Sequence, residues 1–405
     1  MESGKIHSLK YISLCIKGER MNNKERDEKF LKSWLKKKIS ITTSTVVGFL
    51  ITGAVGGGAA YGAGNRAGTG GNNNSVAWGQ GSSVDNDSVA VGANARAVSA
   101  SGGVPAVTSK GVAIGNNAKA EGSISIGELS SSNHFGVAIG YNAGAQNTTT
   151  GASFANVTIG ANTRVGVQGG TQAAQGIAIG SGIQAHEGAW AKGDQSIAIG
   201  ANTESTGDSS IAIGGDDLKS VSNKTSSYSD ARFDKNGNKI GGNSNNTASV
   251  NNIFSRLTGR GAILNGGIGT DGTNYSQWRN TQSGQGGVAL GVKSISGDIA
   301  LAIGTFSEAT GTNSVAIGTG AQTPQSGAVA IGGGSTTNGL QGRQITDADI
   351  TLTDGTTMAL TNFAGASGVL EGSMVSFGKA GNERQLKHIA PGEVTATSTD
   401  GINGS

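Results

Sequence analysis

Few residues in this chain have the types and spacing to do chemistry, and each set falls short of a working site. Asp234-x-Asn236-x-Asn238 has the opening spacing of a calcium loop. The glycine such a loop requires is displaced, and position 245 is Asn where a bidentate Glu would close the cage. The same stretch, Phe233–Ile240, reads instead as a hairpin turning at Asn236-Gly237. His134 and His186 are lone loop histidines far apart in sequence, and no His-Glu-x-x-His exists, so a zinc site is not expected. His388 reads as a packing or capping residue. The 71 glycines contain no Gly-x-x-x-x-Gly-Lys-[Ser/Thr] and no dinucleotide fingerprint. No serine sits in a Gly-x-Ser-x-Gly elbow. Cys15 is the only cysteine, so disulfides and thiol chemistry are excluded from the rest of the chain. No catalytic, cofactor-binding or metal-ligating residue is assigned, and the chain is read as a non-enzyme.

What the chain does carry is a pentapeptide close to Ser-Val-Ala-Ile-Gly. It occurs at 75–79, 88–92, 111–115, 123–127, 136–140, 156–160, 176–180, 196–200, 210–214, 287–291, 300–304, 314–318 and 328–332. The cleanest neighbours lie 13 or 14 residues apart, as from Gly291 to Gly304, Gly318 and Gly332. So short a unit cannot fold alone; it is one rung of a stack that hides its apolar face against the next. The chain is therefore all-β and a parallel solenoid. Val and Ile, two apart, share one face of a strand, and Ala takes the other. Both faces are apolar, one large and one small. Either Val/Ile fills the roll and Ala meets neighbouring chains, or the reverse. Pieces such as Ala93–Ala97, Asn116–Ala120 and Gly320–Thr323 read as a corner followed by a short return strand. Thirteen rungs make a rod of about 60 Å, and uneven spacing implies loops extruded from some corners.

Composition agrees with a thin solenoid. Aromatic residues are 4% and charged residues 14% of the chain, too few aromatics for an ordinary globular core. Residues 1–64 hold 11 Lys/Arg against 5 Asp/Glu, and the remainder is net negative, so nucleic acid is not an expected partner. Lys36-Lys37-Lys38, an uncharged stretch from Ile39 to Tyr61 and the small residues Ala59–Gly64 follow the order of a secretory signal peptide, cleaved near Gly62. Met21 is the expected start, because Lys17–Arg20 would be encoded by codons resembling a ribosome-binding site. Residues 1–20 would then be an untranslated extension.

Two stretches interrupt the repeat. Residues 215–286 contain the hairpin above and an amphipathic helix within Ala248–Gly259, with Val250, Ile253, Phe254 and Leu257 on one face. This insertion reads as a flap over the roll or as a ligand-contacting protrusion. Residues 339–374 suggest two short strands around Ile345–Thr356. Trp78 and Trp190, the latter in a degenerate rung at Gly188–Gly193, read as end or defect plugs or, second, as binding aromatics. Tyr275 and Trp278 in the insertion are the better candidates for exposed contact.

The serial pentapeptides at this spacing resemble the head of trimeric autotransporter adhesins, the YadA-like family. A second resemblance lies at the end of the chain. Val375–Gly378, Gly381–Gly392 and Ser398–Ser405 are similar to that family's neck, commonly of the form VSVG…ERQI.NVA.G…TDAVNGSQL, with Gly401 where the family usually has Ala. The resemblance implies a left-handed parallel β-roll, three of which pack into one head, and a neck that staples them onto a coiled-coil stalk. No heptad stalk and no alternating strands of an outer-membrane barrel occur up to Ser405, so attachment to the outer membrane is expected through a C-terminal anchor absent from this chain.

The expected organisation is a signal peptide at 21–64, head repeats at 65–214, an insertion at 215–286, head repeats at 287–338, a second insertion at 339–374 and the start of a neck at 375–405. The expected function is a homotrimeric adhesin head, exported to the bacterial surface, that binds host matrix proteins, host-cell receptors or other bacteria. The alternative is a structural spacer that projects another binding domain. A solenoid enzyme would need carboxylates clustered at rung spacing, and an ice-binding solenoid a regular Thr-x-Thr ladder; neither is present.

Overall fold

The computed structural model describes residues 75–85, 87–98, 110–145, 155–166, 174–184, 187–260, 280–395 and 397–401. The proposed signal peptide and start, together with Cys15, Tyr275, Trp278 and His186, lie outside the described residues. Among the described residues two long parallel sheets dominate, one of 14 strands and one of 11. The central three residues of every pentapeptide form a strand of the larger sheet, from Val76–Trp78 to Val329–Ile331. The short strands between them, such as Arg96–Val98, Lys119–Glu121 and Thr203–Ser205, form the smaller, return sheet.

Register repeats without slip. Val137 pairs with Ile124 and Val157, Ala138 with Ser125 and Thr158, and Ile139 with Ile126 and Ile159. The pentapeptide glycine makes this possible. Gly140 has φ 133°, and a Cβ there would lie 2.6 Å from the Gly160 carbonyl of the next rung. Only glycine allows both that dihedral and that approach. The serine that opens many pentapeptides closes the preceding turn. Ser196, Ser210 and Ser314 are buried and donate to the carbonyls of Gly193, Gly207 and Gly311 at 2.7, 2.6 and 2.7 Å.

The burial pattern decides between the two readings of the strand. Ala90, Ala113, Ala138, Ala198, Ala302 and Ala316 are all 0% exposed and point into the roll. They face Ala97, Ala120, Ala191 and Ala309 of the return sheet, also 0% exposed. Val and Ile point outward, half-buried or exposed: Ile139 is 38% exposed in the lone chain. Thus Ala, not Val/Ile, fills the roll. The gap between sheets is narrow and is filled mostly by Ala, Ser and Thr, with Val84 and Val165 of the return sheet as larger members.

Both interruptions are looped out and the roll continues beneath them. Ile211–Ile213 pairs directly with Val288–Leu290. Thr281–Ser283, within the stretch assigned from sequence to the first insertion, is a return strand paired with Thr203–Ser205 and with Ile295–Ser296. Val329–Ala330 pairs with Val375–Ser376, so the first residues of the neck segment form the fourteenth strand of the larger sheet. Arg384 fastens the following segment to the last corner. Its guanidinium donates to Ser335 Oγ at 2.8 Å, to the Gly333 carbonyl at 2.6 Å and to the Phe377 carbonyl.

The first insertion has its own structure. A short helix α1 (Lys219–Ser222) leads to an antiparallel pair, Thr225–Tyr228 with Asn246–Ser249, which encloses a second pair, Arg232–Phe233 with Lys239–Gly241. Helix α2 (Val250–Thr258) follows. Ser249 caps its start by accepting from Asn252 N at 3.2 Å, and Gly259 ends it at φ 72°. Its buried face is Asn251, Phe254 and Thr258, with Val250 packed beside Phe254. Ile253 is only half-buried and Leu257 exposed, so the packed face is rotated from the purely apolar one.

Candidate binding surfaces

Three surfaces of the roll can meet something else: the outward face of the larger sheet, the outward face of the return sheet, and the corners with their insertions. The first is continuous. Val76, Val89, Val112, Ile124, Val137 and their successors stand in one register column, and Trp78, Val91, Ile114, Ile126, Ile139 and theirs in another. Each residue is β-branched or large, which suits a pleated surface pressed against another. A chain that buries Ala and leaves Val and Ile outside has its larger apolar surface still uncovered. Trp78 belongs to this column and is 57% exposed, so in the single chain it plugs nothing.

The return sheet presents a polar column. Ser83, Arg96, Lys119 and Ser131 follow one another in register, then Gly144, Arg164, Trp190 and Glu204. Trp190, read from sequence as part of a degenerate rung at Gly188–Gly193, lies on a return strand paired with Arg164–Val165. Its Nε1 donates to the Gly166 carbonyl at 2.6 Å, and its ring is flanked by Lys192 at 4.2 Å and Arg164 at 5.5 Å. Lys192 also pairs with Glu204 at 2.9 Å. The tryptophan is thus half-buried in a network of its own chain.

The corners form the third surface. Two residues past the pentapeptide glycine the backbone turns left-handed: φ is 55° at Asn94 and Asn117, 52° at Asn142 and 59° at Asn162. Asparagine tolerates this conformation, and its carboxamide reaches the next corner. Asn94 Nδ2 donates to Asn117 Oδ1 at 3.3 Å, and Asn142 Nδ2 to Asn162 Oδ1 at 2.8 Å. The ladder then changes chemistry. Asn202 donates to Asp216 Oδ2 at 2.9 Å, and the next corner residues are Lys293 and Phe306, each 1% exposed. Burial pushes the Asp216 carboxyl up, while the Asn202 amide and the Lys293 ammonium pull it back.

Phe306 and the two glycines beyond it are the seat of α2. The rings of Phe254 and Phe306 meet at 5.5 Å and 52°. A Cβ on Gly320 would lie 2.2 Å from Thr258 Cγ2, and one on Gly334 2.1 Å from the Leu257 carbonyl. Arg260 pairs with Glu308 at 2.6 Å and covers the Phe306 ring at 5.1 Å. The insertion thus leaves the roll after Gly214 and lies over corners that come later in sequence. This seat was missed in the sequence, although a signal was there: asparagine stands two residues past the repeat glycine at 94, 117, 142, 162 and 202, and the last four such positions are Lys293, Phe306, Gly320 and Gly334.

Asp234 serves the hairpin turn. Its carboxylate accepts from the Asn236 and Asn238 backbone, both at 2.8 Å, and from Asn238 Nδ2 at 3.0 Å. The Asn238 side chain first, then that backbone, hold its pKa below the usual carboxylate range. His388 is exposed with φ 61°. Among the described residues no group of three or more His, Cys, Asp or Glu is gathered as a metal would require.

The YadA head domain repeat model matches three stretches, residues 110–127, 191–216 and 296–321. Each begins and ends on the roll described above. The solved structure of the C-terminal YadA-like domain of BPSL2063 from Burkholderia pseudomallei is 23% identical, with a TM-score of 0.18. That alignment covers 45% of this chain and 62% of the other. Among curated proteins none matches significantly. Over these three stretches the rungs match YadA head repeats, which supports a trimeric autotransporter adhesin-like head for the parallel roll on which they lie.

Proposed function

We propose that this chain is a non-enzymatic adhesin head. It is exported to the bacterial surface, assembles as a homotrimer, and attaches the cell to host matrix proteins, host-cell receptors or other bacteria. The observation that carries the reading is the double column of Val and Ile left outward along every rung while the roll is filled mostly by Ala and small polar side chains. An interior this thin contributes little hydrophobic free energy per rung, since a methyl group is worth about 0.8 kcal/mol. The larger apolar face is the natural place for other copies to pack. Three copies bring three identical return-sheet faces and three insertions to one target, so weak contacts gain avidity.

The test is solid-phase binding of the purified protein to collagen, fibronectin and laminin, with the assembly state measured in parallel. Saturable binding by the trimer, much weakened when the trimer is split, is expected. An intact trimer that binds none of these, nor host or bacterial cells, supports instead a spacer that carries another binding domain. A chain that remains monomeric at micromolar concentration defeats the assembly on which the reading rests.

A further inference from the structure

Helix α2 and the segment that begins the neck come to rest on one short stretch of the roll, the three glycines 332–334 at its last corner. Each glycine makes room for one of the two. A Cβ on Gly332 would lie 2.9 Å from Arg384 Cζ, one on Gly333 2.8 Å from Leu257 Cδ2, and one on Gly334 would strike the Leu257 carbonyl. Gly333 serves both, because its own carbonyl accepts from Arg384 at 2.6 Å. Just beyond, Thr336 N donates to the Gly378 carbonyl at 2.9 Å.

The two occupants also touch each other. A Cβ on Gly259, the left-handed residue that ends α2, would lie 2.6 Å from Lys379 Nζ. The last turn of a helix leaves carbonyls unpaired and carries partial negative charge, so an ammonium there is attracted to it. Beyond Val375–Ser376 the neck segment has no helix or strand among the described residues. Its contacts with the head are therefore made by single side chains and carbonyls. Two of them, Lys379 and Arg384, sit against the end of α2 and against the glycine that Leu257 covers.

We infer that the first insertion is a strap between head and neck: α2 and residues 378–384 dock together on the glycine corner, and each holds the other down. A pull on the neck is then shared with the insertion, and anything that seats α2 more firmly also secures the neck. The strap belongs to one chain and needs neither a second copy nor a ligand. It stands whether the insertion meets a target or only covers the roll.

The test is timed trypsin cleavage of the folded full chain, read by mass spectrometry. Cleavage after Arg256 reports on α2, and cleavage after Lys379 and Arg384 reports on the neck. Phe254→Ala removes the ring that packs on Phe306 and unseats α2 from the insertion's side. Cleavage after all three residues should then quicken, after Lys379 and Arg384 by about fivefold or more, the lower end of ordinary coupling between sites. Faster cleavage after Arg256 with unchanged rates after Lys379 and Arg384 overturns the strap. Lys379→Glu works from the neck side. Because coupling is reciprocal, hydrogen exchange of residues 250–258 should quicken in that variant while the roll strand Val315–Ile317 keeps its protection, and Lys379→Arg should restore the native rates. Unchanged exchange in α2 with Lys379→Glu also overturns the inference, as does native behaviour of both segments in both variants.

Discussion

Replacing Ala138 by Lys in one protein and Ile139 by Lys in another separates the two faces of a single strand. Ala138 is 0% exposed, with Ser125 and Thr158 in register on either side. A lysine there overpacks the roll by about 1–3 kcal/mol. It also carries an ion inward at several kcal/mol. Against a net stability of about 5–15 kcal/mol this is enough to disrupt folding around that rung. Ile139 is 38% exposed. A lysine head reaches water from that position, so in a lone chain the change costs roughly 0.5–1 kcal/mol. In the assembly the sum differs. Complete burial of an isoleucine is worth about 1.5–3 kcal/mol, so the fraction still exposed accounts for roughly 1 kcal/mol per copy. Burying an unpaired charge adds several kcal/mol per copy, and three copies together lose on the order of 10 kcal/mol. Light scattering after gel filtration reads the mass, and circular dichroism reads the strand content. Ile139→Lys should give a smaller species that keeps its β signal; Ala138→Lys should lose the signal. A trimer of unchanged mass and melting temperature with Ile139→Lys would refute the assignment of the outward face as the interface.

Three further outcomes follow from the insertion. Phe306→Ala removes the ring against which Phe254 packs, a loss of about 3–5 kcal/mol, and should expose the α2 amides to hydrogen exchange while the roll strands remain protected. Ser249→Ala removes the cap of α2 and should cost about 1 kcal/mol, read as faster exchange in its first turn. The pH response of the insertion has a defined sign. The Asn243 backbone, then the Asn246 side chain and Arg256, hold the Asp230 carboxyl below its ordinary value. Its contribution is therefore present above its unfolded pKa of about 4 and is lost as pH falls through the lower folded value. Exchange protection of residues 225–249 should fall under those acidic conditions, and Asp230→Asn should flatten the response. Asp216 acts in the opposite sense, because burial raises its pKa and its protonated form favours folding as pH falls.

Much of the roll was legible from residues alone. A recurring glycine, 13 or 14 positions apart at its cleanest, with Val-x-Ile before it marks a stack of short parallel strands, since a φ near 130° and a neighbouring-rung carbonyl 2.6 Å from where a Cβ would stand admit no side chain. The ends of α2 were likewise written locally, in Ser249 and Gly259. What lies further apart was not legible. Asn251 and Thr258 turn inward because a corner of the roll waits there, and nothing in the helix's own apolar pattern announces it. Trp190 looked like a damaged repeat until its partners Arg164 and Glu204 placed it on the return sheet.

The sequence by itself determined the pentapeptide strands, their register unit and the glycine corners that end them, because those depend on dihedral preferences and on spacing within about a dozen residues. It left the inside and outside of the roll undecided, because both faces of Val-Ala-Ile are apolar. That choice belonged to the tertiary structure: the return sheet approaches so closely, through Ala97, Ala120 and Ala191, that the small central residue of the strand turns inward and Val and Ile stay outside. The same closure joined Ile213 to Leu290 and Val329 to Val375 across the long insertions. It also gathered Phe306, Gly320 and Gly334 into the seat for α2, a column that exists only once successive rungs stand one above another.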